Sequence, residues 1–272
     1  MSKRLSLKIL RSVCVAGLVA LAGCAVPPAQ GDREGWVEYH ATNDPLEPTN
    51  RAILELNRGL DTTLLKPAAT AYRDFVPVLA RSMIGNFLEN LSAPLVALND
   101  LAQGQIDRAL TMLNRFWINT ALGFGFLDMA GAMGIEGHGE DFGQTLAVWG
   151  VPAGPYLMLP LFGPSNPRDA VGRVVDFLAD PFNMWAANTE REHLRFARAG
   201  VQAVELRANS LELIDDLEKT SLDFYAAIRS LYRQRRAEQI SNGKGGTNLP
   251  APGISSNPGQ PLFDAALEMS RR

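Results

Sequence analysis

The sequence predicts an all-α fold, and three observations support that prediction. Apolar residues recur every three or four positions along most of the chain, which is the spacing of one helix face. No run alternates apolar with polar residues, and no Asn-Gly turn joins two strand-like runs. The composition, 46% hydrophobic and 20% charged over 272 residues, suits a folded body and excludes a disordered acidic chain or a multi-span membrane protein.

Charge and cysteine content narrow the function classes further. The formal net charge of −3 argues against a general nucleic-acid binder, which would carry a basic excess. Cys14 and Cys24 are the only cysteines, too few for a disulfide framework or a cysteine-rich zinc site. The three histidines are widely separated along the chain, so we predict no metal site.

The first element is a lipoprotein signal peptide over residues 1–23. Four basic residues precede an apolar run at residues 13–22 that is too short to span a bilayer. Leu21-Ala22-Gly23-Cys24 looks like a bacterial lipobox, which predicts lipidation of Cys24 and a lipidated tether over residues 24–42. Because Ala25 rather than Asp follows the cysteine, we predict an outer-membrane location facing the periplasm. The alternative is an ordinary cleaved signal with an incidental cysteine.

Helical spacing then defines the body of the protein, residues 43–240, and a tail follows it. Periodic apolar residues predict helices over residues 50–61, 78–90, 106–122, 168–178 and 190–236. Residues 241–272 hold five glycines and four prolines, a composition that predicts a disordered tail.

Two nearly uncharged stretches lack the pattern that predicts ordinary helices. Residues 116–133 contain Asp128 as their only charge, and residues 142–167 contain no charge at all. Glycines interrupt the first stretch and prolines the second, so neither forms a simple membrane-spanning helix. Each must pack on protein, line a cavity or lie at a membrane interface, and a buried core loop is the plain alternative for the second.

A series of short motifs extends in order across residues 43–236. The most specific one runs from Glu140 through Phe142, Gly143, Trp149 and Gly154 to Pro160. Others are Asn43-Asp44-Pro45-Leu46-Glu47, Asn50-Arg51, Tyr72-Arg73-Asp74-Phe75, Asn86-Phe87, Arg115-Phe116, Asn119-Thr120, Arg168-Asp169 and Ser221-Leu222-Asp223-Phe224-Tyr225. Together these motifs resemble the MlaA/VacJ family of outer-membrane lipoproteins. This sequence departs from that family at Thr49 and Leu56, where an aromatic residue is usual.

The resemblance implies a ring- or horseshoe-like arrangement of amphipathic helices with Gly/Pro-rich irregular segments, embedded in one leaflet. It implies removal of mislocalised phospholipids from the outer leaflet, which maintains outer-membrane lipid asymmetry. Implied partners are phospholipids, a trimeric outer-membrane porin, and a periplasmic lipid carrier that feeds an inner-membrane ABC transporter. No cofactor is implied beyond the lipid on Cys24 and the transported phospholipid.

Channel candidates are the polar and irregular positions of these motifs. They are Asn50, Asn57, Asp61, Asn86, Asn119, Asp128, Phe142, Gly143, Trp149, Gly154, Pro155, Tyr156 and Pro160. For any one asparagine or aspartate, helix capping or satisfaction of backbone groups is the more common role. Trp149 and Tyr156 have interfacial anchoring and core packing as alternatives.

Two other function classes stay open at the level of sequence. An enzyme acting on phospholipid is weakened because no nucleophile elbow, phosphate-binding loop or zinc-protease motif occurs. His138 near Glu140 lacks an activated serine, so we predict a protein that is not an enzyme. A porin-associated structural lipoprotein without a channel would share the anchor and the helices.

Overall fold

A computed structural model describes residues 42–242 of the chain. The predicted signal peptide, Cys24, the tether up to residue 41 and the tail from residue 243 lie outside the described residues. Within them the protein is mostly helical, which confirms the predicted fold class. None of the helices in this range is long and apolar enough to cross a membrane.

The first half of the body consists of long helices. They are α1 (Glu47–Leu60), a π-helical turn (Asp61–Leu65), α2 (Lys66–Phe75), α3 (Val78–Ala102) and α4 (Ile106–Gly123). The predicted end of α3 at residue 90 is wrong, because the helix continues through Pro94. Packing explains this, since Ala93, Val96 and Ala97 beyond the expected end bury against α4 and outweigh the cost of the proline.

The middle of the chain holds short elements. They are α5 (Met129–Ala132), α6 (Phe142–Val148), β1 (Leu157–Leu159), β2 (Gly163–Ser165), α7 (Pro167–Ala179) and α8 (Pro181–Asn188). The two strands form an antiparallel hairpin in which Leu157 pairs with Ser165 and Leu159 with Gly163. The expectation of no strands is therefore wrong in the second uncharged stretch. Its three-residue strands are too short to show a period.

Three helices complete the body where one long helix was predicted. They are α9 (His193–Asn209), α10 (Leu211–Thr220) and α11 (Phe224–Ile240). Neither break contains glycine or proline. Ser221 adopts an extended backbone after α10, and the Asp223 side chain accepts a hydrogen bond from the Ala226 N–H to start α11.

The packing contacts close into a ring, as expected. In order, α1 packs on the hairpin, the hairpin on α11, α11 on α6, α6 on α7, α7 on α8, α8 on α9, and α9 on α2, which rejoins α1. The antiparallel pair of α3 and α4 attaches to this ring because α3 contacts α6, α8 and α9. The first and last helices of the body are therefore neighbours through the hairpin.

Burial is inverted relative to an ordinary globular protein. Among residues 42–242, 17 buried residues are polar or charged and 15 are apolar, and seven of those 15 are alanines. In the same range, 30 large apolar residues are exposed. Soluble domains place such residues in the core, so this surface is built for apolar surroundings.

Candidate functional site

Asp44 organises the junction between the start of the body and α11. Its carboxylate accepts hydrogen bonds from Asn50 Nδ2 at 2.8 Å, from Arg229 Nη1 at 2.7 Å and from the Tyr225 hydroxyl. The Asp44 side chain is 1% exposed and that of Arg229 13%. Burial and the bond to Asp44 together raise the pKa of Tyr225, so its hydroxyl stays a donor. The Asp44–Arg229 pair joins residues that are 185 positions apart in the chain.

Asn50 and Asn57 hold the hairpin against α1. Asn50 donates to the Tyr156 carbonyl at 3.1 Å and accepts from the Met158 N–H at 2.9 Å. Asn57 repeats the pattern, donating to the Leu159 carbonyl at 3.0 Å and accepting from the Leu161 N–H at 2.8 Å. Seven helical residues rise about 10.5 Å and three strand residues about 10 Å, so the two spacings match. We call this pair the asparagine ladder.

Asp169, at the first turn of α7, is the centre of a second buried network. It accepts from Asn166 Nδ2 at 2.9 Å, Arg168 Nε at 3.1 Å and the Tyr232 hydroxyl, and lies 2.8 Å from Arg236 Nε. Its side chain is 4% exposed. Two elements of the ring, α7 with its cap residue Asn166 and α11, therefore meet on one carboxylate.

Asp141, the cap residue of α6, is joined to this network through Arg236. Both guanidinium Nη atoms of Arg236 donate to the Asp141 carboxylate at 2.6 Å. Burial acts to raise the pKa of Asp141, but the hydrogen bonds and charge of Arg236 outweigh it and hold the pKa below its usual value. Asp141 is therefore ionised and fixes α11 to α6.

A third network joins α3, α4 and α6 around Asp100, whose side chain is fully buried. His138 Nε2 lies 2.8 Å from the Asp100 carboxylate, and Arg108 donates to Asp100 at 3.4 Å and to Glu140 at 2.8 Å. Burial raises the pKa of Glu140. Thr145 Oγ1 donates to Asn99 Oδ1 at 2.9 Å rather than to His138, so this His-Asp pair has no hydroxyl nucleophile among its described contacts.

The glycine-rich stretch after α4 is held by asparagine and aspartate side chains. Asn119 donates to Asp128 Oδ1 at 3.1 Å and accepts from the Ala130 N–H at 2.8 Å. Asp128 caps α5 and accepts from Arg115 Nη2 at 2.9 Å. Asn86 donates to the Phe126 carbonyl at 3.1 Å. These three candidates therefore lie together beside one loop.

The remaining candidates occupy different surroundings. Asp61 in the π-helical turn forms a bidentate ion pair with Arg207 of α9 at 2.8 and 2.9 Å. Phe142 and Trp149 stack edge to face at 5.7 Å, and the exposed Trp149 ring donates to the Ala102 carbonyl at 2.9 Å. Pro160 is exposed in the hairpin turn, next to Leu161, which is 76% exposed.

Gly143 lies in α6, and Gly154, Pro155 and Tyr156 precede β1. Gly143 is buried where α6 crosses α7, and Gly154 has a positive φ of 76° that favours glycine. Pro155 is half-buried and Tyr156 is 2% exposed, packed edge to face on Tyr225 and Tyr232. Tyr156 therefore packs in the core rather than anchoring at an interface. A channel-lining role for the candidates stays a prediction.

The candidate residues predicted from the sequence include none of the basic residues of α11. Arg229 and Arg236 form ion pairs with the buried carboxylates of Asp44 and Asp169, and Arg236 also pairs with the more exposed Asp141. A signal was present, because Tyr225, Arg229, Tyr232 and Arg236 recur every three or four residues and so share one helix face. A polar stripe at helical spacing indicates a buried polar contact as well as a solvated surface.

These features define a class of protein: a closed helical ring with ion-paired polar interiors and an apolar exterior. A family model described as MlaA lipoprotein matches residues 42–239. The chain is 34% identical over 242 residues to the intermembrane phospholipid transport system lipoprotein MlaA of Escherichia coli K12, with 87% of this chain and 90% of that one covered.

Two further comparisons agree with this match. The Haemophilus influenzae protein of the same description is 33% identical over 232 residues, with 83% of this chain and 88% of that one covered. A solved structure described as "Structural basis for maintenance of bacterial outer membrane lipid asymmetry" has a TM-score of 0.63 and 34% identity, covering 72% of this chain and 98% of that one. The chain belongs to the MlaA lipoprotein family.

Proposed function

We propose that this chain is an outer-membrane lipoprotein that takes mislocalised phospholipids out of the outer leaflet and passes them toward the inner membrane. The body lies in the periplasmic leaflet, anchored by acyl chains on Cys24. A trimeric porin is its partner in the membrane, and a periplasmic carrier that feeds an inner-membrane ABC transporter receives the lipid. The relatives named as phospholipid transport lipoproteins support this assignment.

The inverted burial is the observation that carries the proposal. Thirty exposed large apolar residues on the described part of a modest helical body would promote aggregation in water. Lipid acyl chains are themselves apolar, so they can cover such a surface without the free-energy cost of exposing it to water. A body with this exterior needs no spanning helix to remain at a membrane.

The polar interior supports a route for a charged head group. Irregular glycine- and proline-rich backbone is tolerated at membrane depth where protein or a water-filled cavity satisfies it. The asparagine ladder and the Asn119–Asp128 pair perform this satisfaction here. A ring whose irregular backbone is satisfied in this way can remain folded at membrane depth, as a route for a head group requires.

Deleting the gene is expected to raise the amount of phospholipid exposed at the cell surface. Phospholipid in the outer leaflet weakens its packing, so the strain also becomes sensitive to detergent combined with a chelator. The measurement is surface labelling of phospholipid in deleted and complemented strains. An unchanged outer-leaflet composition in the deletion strain would contradict the proposed function.

Replacing Cys24 by alanine is expected to weaken the attachment, so that a smaller share of the protein is found in the membrane fraction than in wild type. Two acyl chains bind the bilayer firmly, at roughly 0.8 kcal/mol for each buried CH₂ group. Fractionation with immunoblotting gives the measurement, and Cys14→Ala, inside the predicted signal, is the matched control. Unchanged membrane attachment of Cys24→Ala would show that the apolar surface alone holds the protein.

The function is not enzymatic in this proposal. Within residues 42–242, an enzyme hypothesis could use the His138–Asp100 pair, but the nearby Thr145 hydroxyl already donates to Asn99. Hydrolysis of phospholipid by the purified protein, abolished by His138→Gln, would instead establish an enzyme.

A further inference from the structure

A cluster of unpaired polar groups lies where α2, α3 and α9 meet. Arg81, Gly85 and Glu89 are spaced by four residues on α3 and therefore share one face. Glu205 of α9 lies against this face, so close to Gly85 that a Cβ there would be 2.5 Å from its Oε1 atom. Tyr72 of α2 lies beside both Glu205 and Arg81, whose charges act on its hydroxyl.

These groups lack the partners that charged side chains have elsewhere in the described body. Within residues 42–242, Arg81, Glu89 and Glu205 form no ion pair, and Arg81 Nε and the Tyr72 hydroxyl are buried without a hydrogen bond. By contrast, six arginines in this range have side chains that are at most 13% exposed and form ion pairs. They are Arg115, Arg168, Arg198, Arg207, Arg229 and Arg236. The cluster therefore contains two polar atoms, Arg81 Nε and the Tyr72 hydroxyl, that have no hydrogen-bond partner in the protein.

The two carboxylates of the cluster repel each other. Burial and, to a smaller extent, the charge of Glu89 together raise the pKa of Glu205 to about 7. Burial among neighbouring groups also raises the pKa of Glu89, an effect that the charge of Arg115 opposes and that of Asp128 increases. A cation between the two carboxylates would remove the repulsion.

The spacing of the cluster residues along α3 suits a ligand that carries a cationic and an anionic group close together. Arg81 lies about 12 Å from Glu89 along the helix axis, and Gly85, with the Glu205 carboxylate over it, lies about 6 Å from each. A guanidinium binds phosphate through two parallel hydrogen bonds, and a tyrosine hydroxyl can add a third. The cluster thus offers an anion site at one end and a cation site at the other.

Exposed apolar side chains lie close in sequence to the residues of the cluster. Phe75, one turn after Tyr72, is 85% exposed, Leu79 is 70% exposed and Leu206, next to Glu205, is 68% exposed. A ligand that is charged at one end and apolar at the other would contact both kinds of group.

We propose that Arg81, Tyr72, Glu89 and Glu205 bind the head group of an aminophospholipid, with the phosphate at Arg81 and Tyr72 and the primary ammonium between the two glutamates. This inference rests on the proposed function and names the class of lipid that the ring selects. Phosphatidylglycerol has the phosphate but no ammonium, so it uses only the Arg81 end of the site.

The test compares lipid uptake by the purified full-length lipoprotein from vesicles with equal amounts of phosphatidylethanolamine and phosphatidylglycerol. Protein is separated from the vesicles and its bound lipids are quantified by mass spectrometry. Wild type is expected to prefer phosphatidylethanolamine, and Glu89→Gln with Glu205→Gln to lower that preference about tenfold, the effect of losing a charged hydrogen bond. Arg81→Gln is expected to lower uptake of both lipids.

Controls separate head-group selection from other effects. Glu238→Gln removes a charge from an exposed site on α11 and is expected to leave the preference unchanged. Glu205→Gln alone, which keeps the side-chain shape and removes one repelling charge, replaces the double variant if that variant unfolds. Soluble glycerophosphoethanolamine at equal concentration is expected not to displace the lipid, and displacement would overturn the lipid assignment.

The outcomes distinguish this inference from the proposed function. A wild-type protein that takes up both lipids equally, or a double variant that keeps the wild-type preference, would overturn the head-group assignment and leave lipid transport standing. A wild-type protein that takes up neither lipid would contradict the proposed function itself.

Discussion

Asp169→Ala is expected to lower the free energy of unfolding by about 3–5 kcal/mol, the range for removing one partner of a buried ion pair. The change leaves Arg168 and Arg236 without this carboxylate and removes the acceptor of the Tyr232 hydroxyl. Since these groups come from α7 and α11, the contact between the two halves of the ring weakens. Urea unfolding in a mild detergent, followed by helix content, provides the measurement.

Asp216→Ala is the matched control for this change. Asp216 is exposed on α10 and forms no ion pair among the described residues, so its removal is expected to change stability by less than about 0.5 kcal/mol. Equal stabilities of the two variants would show that the Asp169 network contributes nothing to the closed ring.

Gly172→Ala is the second large effect, with an expected loss of about 1–3 kcal/mol or more from overpacking. A Cβ at Gly172 would lie 2.3 Å from the Gly143 nitrogen and 2.7 Å from its Cα. These are backbone atoms of α6, which cannot move aside as the end of a flexible side chain can. The helices must separate, and the same denaturation experiment measures the cost.

Gly200→Ala is the control for the glycine. Gly200 lies in α9 with open space where a Cβ would stand. Alanine favours a helix interior over glycine by about 0.8–1.0 kcal/mol, so this variant is expected to be more stable than wild type. If Gly172→Ala were stabilising too, the close approach of α6 and α7 would not constrain the fold.

The sequence predicted helices well where one apolar face repeats and less well where tertiary contacts set the boundary. The apolar pattern of residues 106–122 was sufficient to predict a helix there, and α4 has nearly the same bounds. The end of α3 depends on packing beyond Pro94, and the break before α11 depends on Asp223, which also binds Arg51 of α1. The sequence around Asp223 contains no feature that indicates a partner 172 residues away.

The site was predictable in composition and not in arrangement. The asparagines of the motifs could be identified as polar groups in apolar surroundings, but Asn50 and Asn57 act on a hairpin about 100 residues later, which has no strand signature of its own. The charged cluster around Glu205 could not be predicted from the sequence, because Arg81, Glu89 and Glu205 come together only when α9 packs on α3.

The closed ring has a consequence for the order in which the protein can mature. Asp44 is among the first described residues of the body, and Arg229 and Tyr225, which satisfy its buried carboxylate, are among the last. A chain made from its amino terminus must therefore keep α1 without its final partners until nearly the whole body has emerged. Any premature stop before α11 leaves a buried carboxylate unpaired and the hairpin uncovered on one side. Truncated chains should accordingly be substrates for proteolysis rather than shorter working versions of the protein.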